Sequence, residues 1–445
     1  MHPVNRPPLT QRALPALFGA AYAFLLILLF GPGGMTFDSF THWTQGKTLN
    51  FDNWQPPLTA LLMRVAQTLG AHSPWPILLA QGWLMGAGVF VFLRDSLRAP
   101  PLKIFALSLV VLLTPPVLLH AHMMWKDTWC AVAFVWTAIS ARRVYENPRS
   151  TTWLALGAAA ISTAALRHNA SLLIACLLAP LLVRSVVKRN VAQLATGLVI
   201  AMASLAVPKL LERLVSAHDL APVQQILVHD LAGIETCNHF ADWEQIAPND
   251  VIPREALERG YRVEEVVPLF DTSRPYKVVN LYHAAAHVGA IAATWRVVVM
   301  NNLGCYFRHR LAVFQRLVGA DAAPTCYPFE MNVGGNTYGI AAFDWWPRAR
   351  ALTKAMGHAV ENTVLFRLWF YLASGFLLVV YFALRRDVAL ATFLGAAVTY
   401  QLAYVFIATT CDFRMGSALV IAVWLGAMVW AGGILTRRGA SRVAS

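Results

Sequence analysis

Apolar residues fall into ten runs, at about 13–31, 76–93, 104–120, 128–141, 153–166, 170–183, 193–211, 363–384, 389–408 and 416–434. Roughly 20 helical residues cross the hydrocarbon of a bilayer, so the pattern predicts an all-α polytopic membrane protein with about ten transmembrane helices. Two longer polar stretches interrupt the series. In the first, 32–75, Leu58, Leu61, Leu62, Val65 and Leu69 line one helical face. That face suits a helix lying in the membrane interface or one packed on the protein's own outer part. The second, 212–361, reads as a mainly helical extracytoplasmic domain inserted before the eighth span. Its apolar stretch 279–300 holds His283, His287 and Arg296 and is expected to be a buried or membrane-resting helix, not a crossing. The chain then divides into a transmembrane module (1–211, spans one to seven), the outer domain (212–361), and spans eight to ten with a basic tail (362–445).

The chain has 445 residues, 57% hydrophobic and 13% charged, with a mean hydropathy of +0.52; ordinary soluble proteins carry about 25% charged residues. A soluble enzyme is excluded. The net charge is +13, a balance that raises nucleic acid as a partner until the charges are mapped. With the N-terminus inside, the inner segments hold sixteen Lys and Arg against only Asp95, Glu146 and Asp387, while the rest of the chain carries twenty of each sign. The basic excess is therefore topological, following the positive-inside rule, and implies no nucleic-acid partner. It also decides the short pair 153–166 and 170–183. Reading them as one crossing would put Arg184, Lys188 and Arg189 outside, so two crossings are expected, with both termini cytoplasmic.

The first span follows Arg6 and Arg12 and ends without a small-x-small cleavage site, which predicts a retained helix. Cys130 and Cys176 lie in spans, whereas Cys237, Cys305, Cys326 and Cys411 lie on the outer side, where an oxidising compartment allows disulfides. Spacing does not fix their pairing. No CxxC suggests zinc, and no internal repeat suggests a transporter of two matching halves.

Charges near hydrocarbon are costly and usually functional, and here they gather at the outer ends of the spans. After the first span come Asp38-Ser39, His42 and Gln45, then Asp52-Asn53-Trp54-Gln55-Pro56-Pro57. His122 and Trp125-Lys126-Asp127 precede the fourth span, Arg167-His168-Asn169 follow the fifth, and Asp412-Phe413-Arg414 separate the ninth from the tenth. Such a set fits transfer from a lipid-phosphate donor, in which a base takes the acceptor proton and cations hold the departing phosphate. Asp38 fits the base, and Lys126, Arg167 and Arg414 fit the phosphate clamp. For Asp38 the structural alternative is a helix cap; for each cation it is a headgroup contact or a loop-tying ion pair.

These residues resemble the GT-C glycosyltransferases, multi-spanning enzymes with an acidic residue just after the first helix and polyprenyl-phosphate sugars as donors. More narrowly, the chain is similar to a bacterial group of GT-C-like membrane proteins whose first loop reads Asp-Ser, Gln, then Asp-Trp-His-Pro-Pro. Asp38-Ser39, Gln45 and Asp52-Asn53-Trp54-Gln55-Pro56-Pro57 occupy those places, with Asn53 inserted and Gln55 where the group has His. Gln55 cannot transfer a proton as a His there could. The resemblance covers spans one to six well and the outer domain poorly. It implies an inverting, metal-independent displacement in the inner membrane of a bacterium, from a polyprenyl-phosphate-linked sugar to a cell-envelope glycan, lipid or protein. Asp38 would be the base. Asp52 and Asp127 would orient the sugar or the base, with divalent-metal binding as their alternative role. His42, Gln45, Gln55, His122, His168 and Asn169 would support the site, and no cofactor is expected.

Other features carry less. His283 and His287 share a helical face but lack the Glu of a zinc-protease motif, and ordinary packing or placement at the interface is expected. Asn332–Asn336 reads as a flexible outer turn, and Phe343-Asp344-Trp345-Trp346-Pro347 as an interfacial anchor or, alternatively, a surface that stacks on a sugar. The competing functions are a lipid or sugar transporter, an O-antigen ligase or polymerase, and a non-catalytic scaffold.

Overall fold

The computed structural model describes residues 9–239 and 250–443. Among them the chain is helical, with isolated β-bridges and no strand. Helices stand at all ten apolar runs: α1 (Leu9–Phe30), α4 (Trp75–Leu97), α5 (Pro101–Leu113) with α6 (Pro115–Ala121), α7 (Lys126–Glu146), α8 (Ser150–Leu166), α9 (Ser171–Val187), α10 (Val191–Leu214), α17 (Leu368–Leu384), α18 (Val388–Ile407) and α19 (Ser417–Val443). Five of these, α1, α4, α10, α18 and α19, are long and apolar enough to cross a membrane, and six count if α5 and α6 form one span. The run expected to cross at 104–120 is broken at Thr114, where α5 and α6 meet at 75°. Pro115 and Pro116 cause the break, because each lacks the N–H that would continue the helix.

The first outer loop folds as α2 (Phe37–Thr48) and α3 (Leu58–Thr68). Gly46 lets α2 approach α3 closely: a Cβ there would meet Ala60 O at 2.7 Å. Toward α2, α3 turns a narrow face that includes Ala60, while Val65 and the following Leu69 stay exposed. Leu58 and Leu62 of the leucine-rich face pack partly against the main core, so the face is divided between the protein and its surroundings.

The outer domain has two parts. Helices α11 (Gln224–Cys237), α12 (Arg254–Gly260), α13 (Leu281–Ala286) and α14 (Val288–Asn301) enclose a separate core around Val228, Leu231, Leu257, Leu269 and Ile291. The stretch expected to rest or be buried is thus α13 and α14, with Ile291, Val298 and Val299 inward and Val297 and Met300 exposed. In the second part, α15 (Leu303–Val318), the following chain and α16 (Pro347–Val360) join the main core through Val313, Leu317, Met331 and Ile340. Two disulfides form, Cys237–Cys305 and Cys326–Cys411; Cys130 and Cys176 are free. Outward apolar side chains are dense on α10, where Val199, Met202, Leu205 and Leu214 are exposed, as a lipid-facing helix requires.

Candidate active site

The start of α2 is built from its own sequence. Thr36 is the N-cap in extended conformation, and its N–H donates to Ser39 Oγ at 3.3 Å. Ser39 Oγ in turn donates to Met124 O at 3.1 Å, and Trp125 Nε1 donates to Thr36 Oγ1 at 2.8 Å. Capping is thus done by Thr36, and Asp38 sits in the first turn, where the positive end of the helix dipole favours a carboxylate. The bonds to Met124 and Trp125 hold this turn beside the first turn of α7, which carries Lys126 and Asp127. Arg167 follows the last residue of α8. Arg414 lies in a short 3-10 turn, Phe413–Gly416, that starts where Asp412 Oδ1 accepts the Arg414 N–H at 3.1 Å.

These four segments converge. Arg414 reaches Asp38 at 2.8 Å, Asp412 at 2.8 Å and Asp127 at 3.9 Å, and its guanidinium lies 4.8 Å over the Trp125 ring. Arg167 pairs with Asp127 from the other side and stands 5.8 Å over Tyr404. Lys126 donates to Gln55 Oε1 at 3.0 Å, and among the described residues it forms no ion pair, leaving N–H groups for a ligand. Burial alone would raise the pKa of Asp38, but Arg414, Lys126 and His42 hold it well below the usual carboxylate range. Asp127 is likewise raised by burial and carried down by Arg167, Lys126 and Arg414. Burial pushes Asp412 up to about 6 against the pull of Arg414. Burial also lowers Lys126, opposed by Asp127 and Asp38.

The remaining candidates separate. Gln55, in place of the expected His, serves as the acceptor that anchors Lys126. His42 is buried beside the charges. Asn169 accepts from Tyr400 O–H at 3.0 Å, and Tyr400 and Tyr404 join at 3.2 Å, so Asn169 braces the aromatic wall behind Arg167. Asp52 is not brought into the cluster. Its carboxylate accepts from Trp54 N at 3.0 Å and from Gln45, and the backbone beside it pairs with His218. Burial leads in raising its pKa. Asp52 and Gln45 therefore tie the first loop to the chain after α10. His168 faces Glu212 at 3.8 Å, with Lys126 and Arg167 also acting on its ring, whereas His122 stacks on Phe30 at 4.0 Å, apart from the charged cluster.

The turn expected to be flexible is anchored: Met35 N–H donates to Asn332 O at 3.2 Å and Gly334 N–H to Met35 O at 2.9 Å, pinning 332–334 beside the chain that enters α2. Phe343 covers Gly31 and stacks on Trp345 at 4.7 Å. His283 and His287 stack at 4.5 Å, and among the described residues no three His, Cys, Asp or Glu side chains group as a metal site. The three carboxylates of the cluster, Asp38, Asp127 and Asp412, all face the Arg414 guanidinium.

Sequence reasoning places Trp125 and Asp412 among the polar groups at the span ends but assigns them no role, and it misses Tyr400 and Tyr404. The tyrosines had a signal, since Tyr400, Gln401 and Tyr404 put polar groups near the outer end of an apolar run. Comparison with protein-family models, curated proteins and solved structures finds no match.

Proposed function

We propose that the protein is a membrane glycosyltransferase that moves a sugar from a polyprenyl-phosphate donor to a cell-envelope acceptor at the outer face of a bacterial inner membrane. The observation that carries the reading is Asp38 at 2.8 Å from Arg414, in a cluster that also holds Lys126, Arg167 and Asp127 at the outer ends of apolar helices. In this reading all ten apolar helices cross the membrane in a GT-C-like arrangement, with both termini inside. Asp38 takes the acceptor hydroxyl proton. The acceptor oxygen attacks the anomeric carbon, the bond from that carbon to the phosphate oxygen breaks, and its electron pair leaves on the lipid phosphate. Lys126, Arg167 and Arg414 stabilise that charge. While Arg414 sits on Asp38 the carboxylate is a weak base; a phosphate that draws Arg414 away raises its basicity, which couples donor binding to activation of the acceptor.

A general base contributes about 10²–10⁴ to a rate. Asp38→Asn should fold, bind a polyprenyl-phosphate-linked sugar and lose transfer by at least about a hundredfold, measured as radiolabel moved to envelope acceptors by the purified protein. Wild-type turnover by that variant overturns the base assignment.

The 75° bend between α5 and α6 favours one second reading, a lipid or sugar transporter, because broken helices mark transport sites. Movement of a labelled lipid across proteoliposomes with no glycosidic product would favour it.

A further inference from the structure

His42 lies one turn after Asp38 on the same face of α2. It is 1% exposed, and neither ring nitrogen has a hydrogen-bond partner. Leaving one buried polar group unpaired costs about 1–3 kcal/mol, and such groups are rare in folded proteins. The surroundings are charged, since Lys126, Asp38, Asp127 and Arg414 all act on the ring, yet none of them hydrogen-bonds to it. Lys126 bonds to Gln55, Arg414 to Asp38 and Asp412, and Asp127 to Arg167. His122 is also buried, but the groups acting on it are the backbone of Leu118 and Glu330 with His120 and Arg350, away from this cluster. Burial, followed by Lys126, pushes the His42 pKa down to about 3, so the ring is neutral at physiological pH. A neutral imidazole offers one N–H and one lone pair. Phosphate oxygens only accept, and the cations already suit them. A hydroxyl both donates and accepts, so it can satisfy whichever ring nitrogen faces it.

We infer that His42 recognises the donor sugar, one of its bare ring nitrogens hydrogen-bonding a sugar hydroxyl held between the phosphate-binding cations and Asp38. The inference rests on the glycosyltransferase reading and adds which side chain reads the sugar. It assigns sugar affinity to His42 and lipid-phosphate affinity to Lys126, Arg167 and Arg414.

The test compares binding of polyprenyl monophosphate with binding of the same lipid phosphate carrying hexoses or pentoses, by the full-length protein in detergent or nanodiscs. Wild type should prefer at least one sugar-linked form. His42→Phe, which fills the space without polar atoms, should lose about tenfold of that preference, within the cost of one unpaired buried group, and bind polyprenyl monophosphate as wild type does. His42→Gln keeps a donor and an acceptor and should retain most of the preference. This variant also controls for misfolding. If His42→Phe binds polyprenyl monophosphate normally and keeps the full sugar preference, the ring contacts only water and the inference fails while the glycosyltransferase reading stands. A wild type that binds lipid phosphate with no preference for any sugar likewise overturns the inference alone. A wild type that binds neither lipid overturns both.

Discussion

Asp412 is the carboxylate whose charge is least secure, because burial lifts its pKa to about 6 while Asp38 and Asp127 are held low. A folded-state pKa above the unfolded value stabilises the fold fully below about pH 4 and loses that contribution as pH rises through about 6. Asp38 and Asp127 act with the opposite sign in a separate window, since their contribution is present above about pH 4 and lost as pH falls below it. Asp412→Asn should therefore gain stability relative to wild type as pH rises from about 4 to 6, by at most about 3 kcal/mol for a two-unit shift. Melting temperatures in detergent across that range check it, and a pH-independent difference between the two proteins would sink the assignment. Asp38, Lys126, Asp127, Arg167 and Arg414 are legible in the sequence because charge beside hydrocarbon is costly and the runs set their depth. Asp412 stands two residues from Arg414, but sequence shows adjacency and not burial, so its role is not legible there. Asp52 misled for the complementary reason: nothing in its spacing reveals that the loop turns back on His218.

At the scale of elements, hydropathy located a helix at each of the ten apolar runs, but not which helices touch. Helices α1 and α4 approach through small residues, where a Cβ on Gly19 would meet Trp83 O at 2.6 Å and one on Gly82 would meet Ala23 Cα at 2.9 Å. Helices in lipid gain little from hydrophobicity and associate through such close packing, and this pair holds the segment entering α2 in place. Gly82→Leu forces backbone apart and should cost about 1–3 kcal/mol or more, read as a lower melting temperature and less monodisperse protein in detergent. Gly395, on α18, has open space where its Cβ would stand, so Gly395→Leu should behave as wild type. Equal damage from both substitutions would contradict this packing. The break at Thr114 carried only a partial signal, because Pro115-Pro116 announces an interruption but not a 75° turn.

For the whole molecule, the outer domain holds the loop that bears Arg414. Arg310, buried and paired with Asp230 at 2.6 Å, donates to Ala408 O at 2.8 Å. Cys411 N–H donates to Glu264 O at 2.7 Å, Glu265 bridges Thr410, and Cys326–Cys411 ties the same loop covalently. The other disulfide, Cys237–Cys305, joins the end of α11 to the first turn of α15 at the edge of the separate outer core, away from the Arg414 loop. The sequence left this pairing open, and the difference between the two bonds makes a test. They close spans of 85 and 68 residues, so chain entropy gives each about 4–5 kcal/mol, and removing either should lower the melting temperature by a similar amount. Only the Cys326→Ser and Cys411→Ser double variant should also release Arg414 from Asp38. Polyprenyl monophosphate binding, measured well below both melting points, should fall several-fold in that variant and stay at the wild-type value in the Cys237→Ser and Cys305→Ser pair. Matched losses in the two double variants would mean that the disulfides act on stability alone and that the outer domain does not position the phosphate clamp.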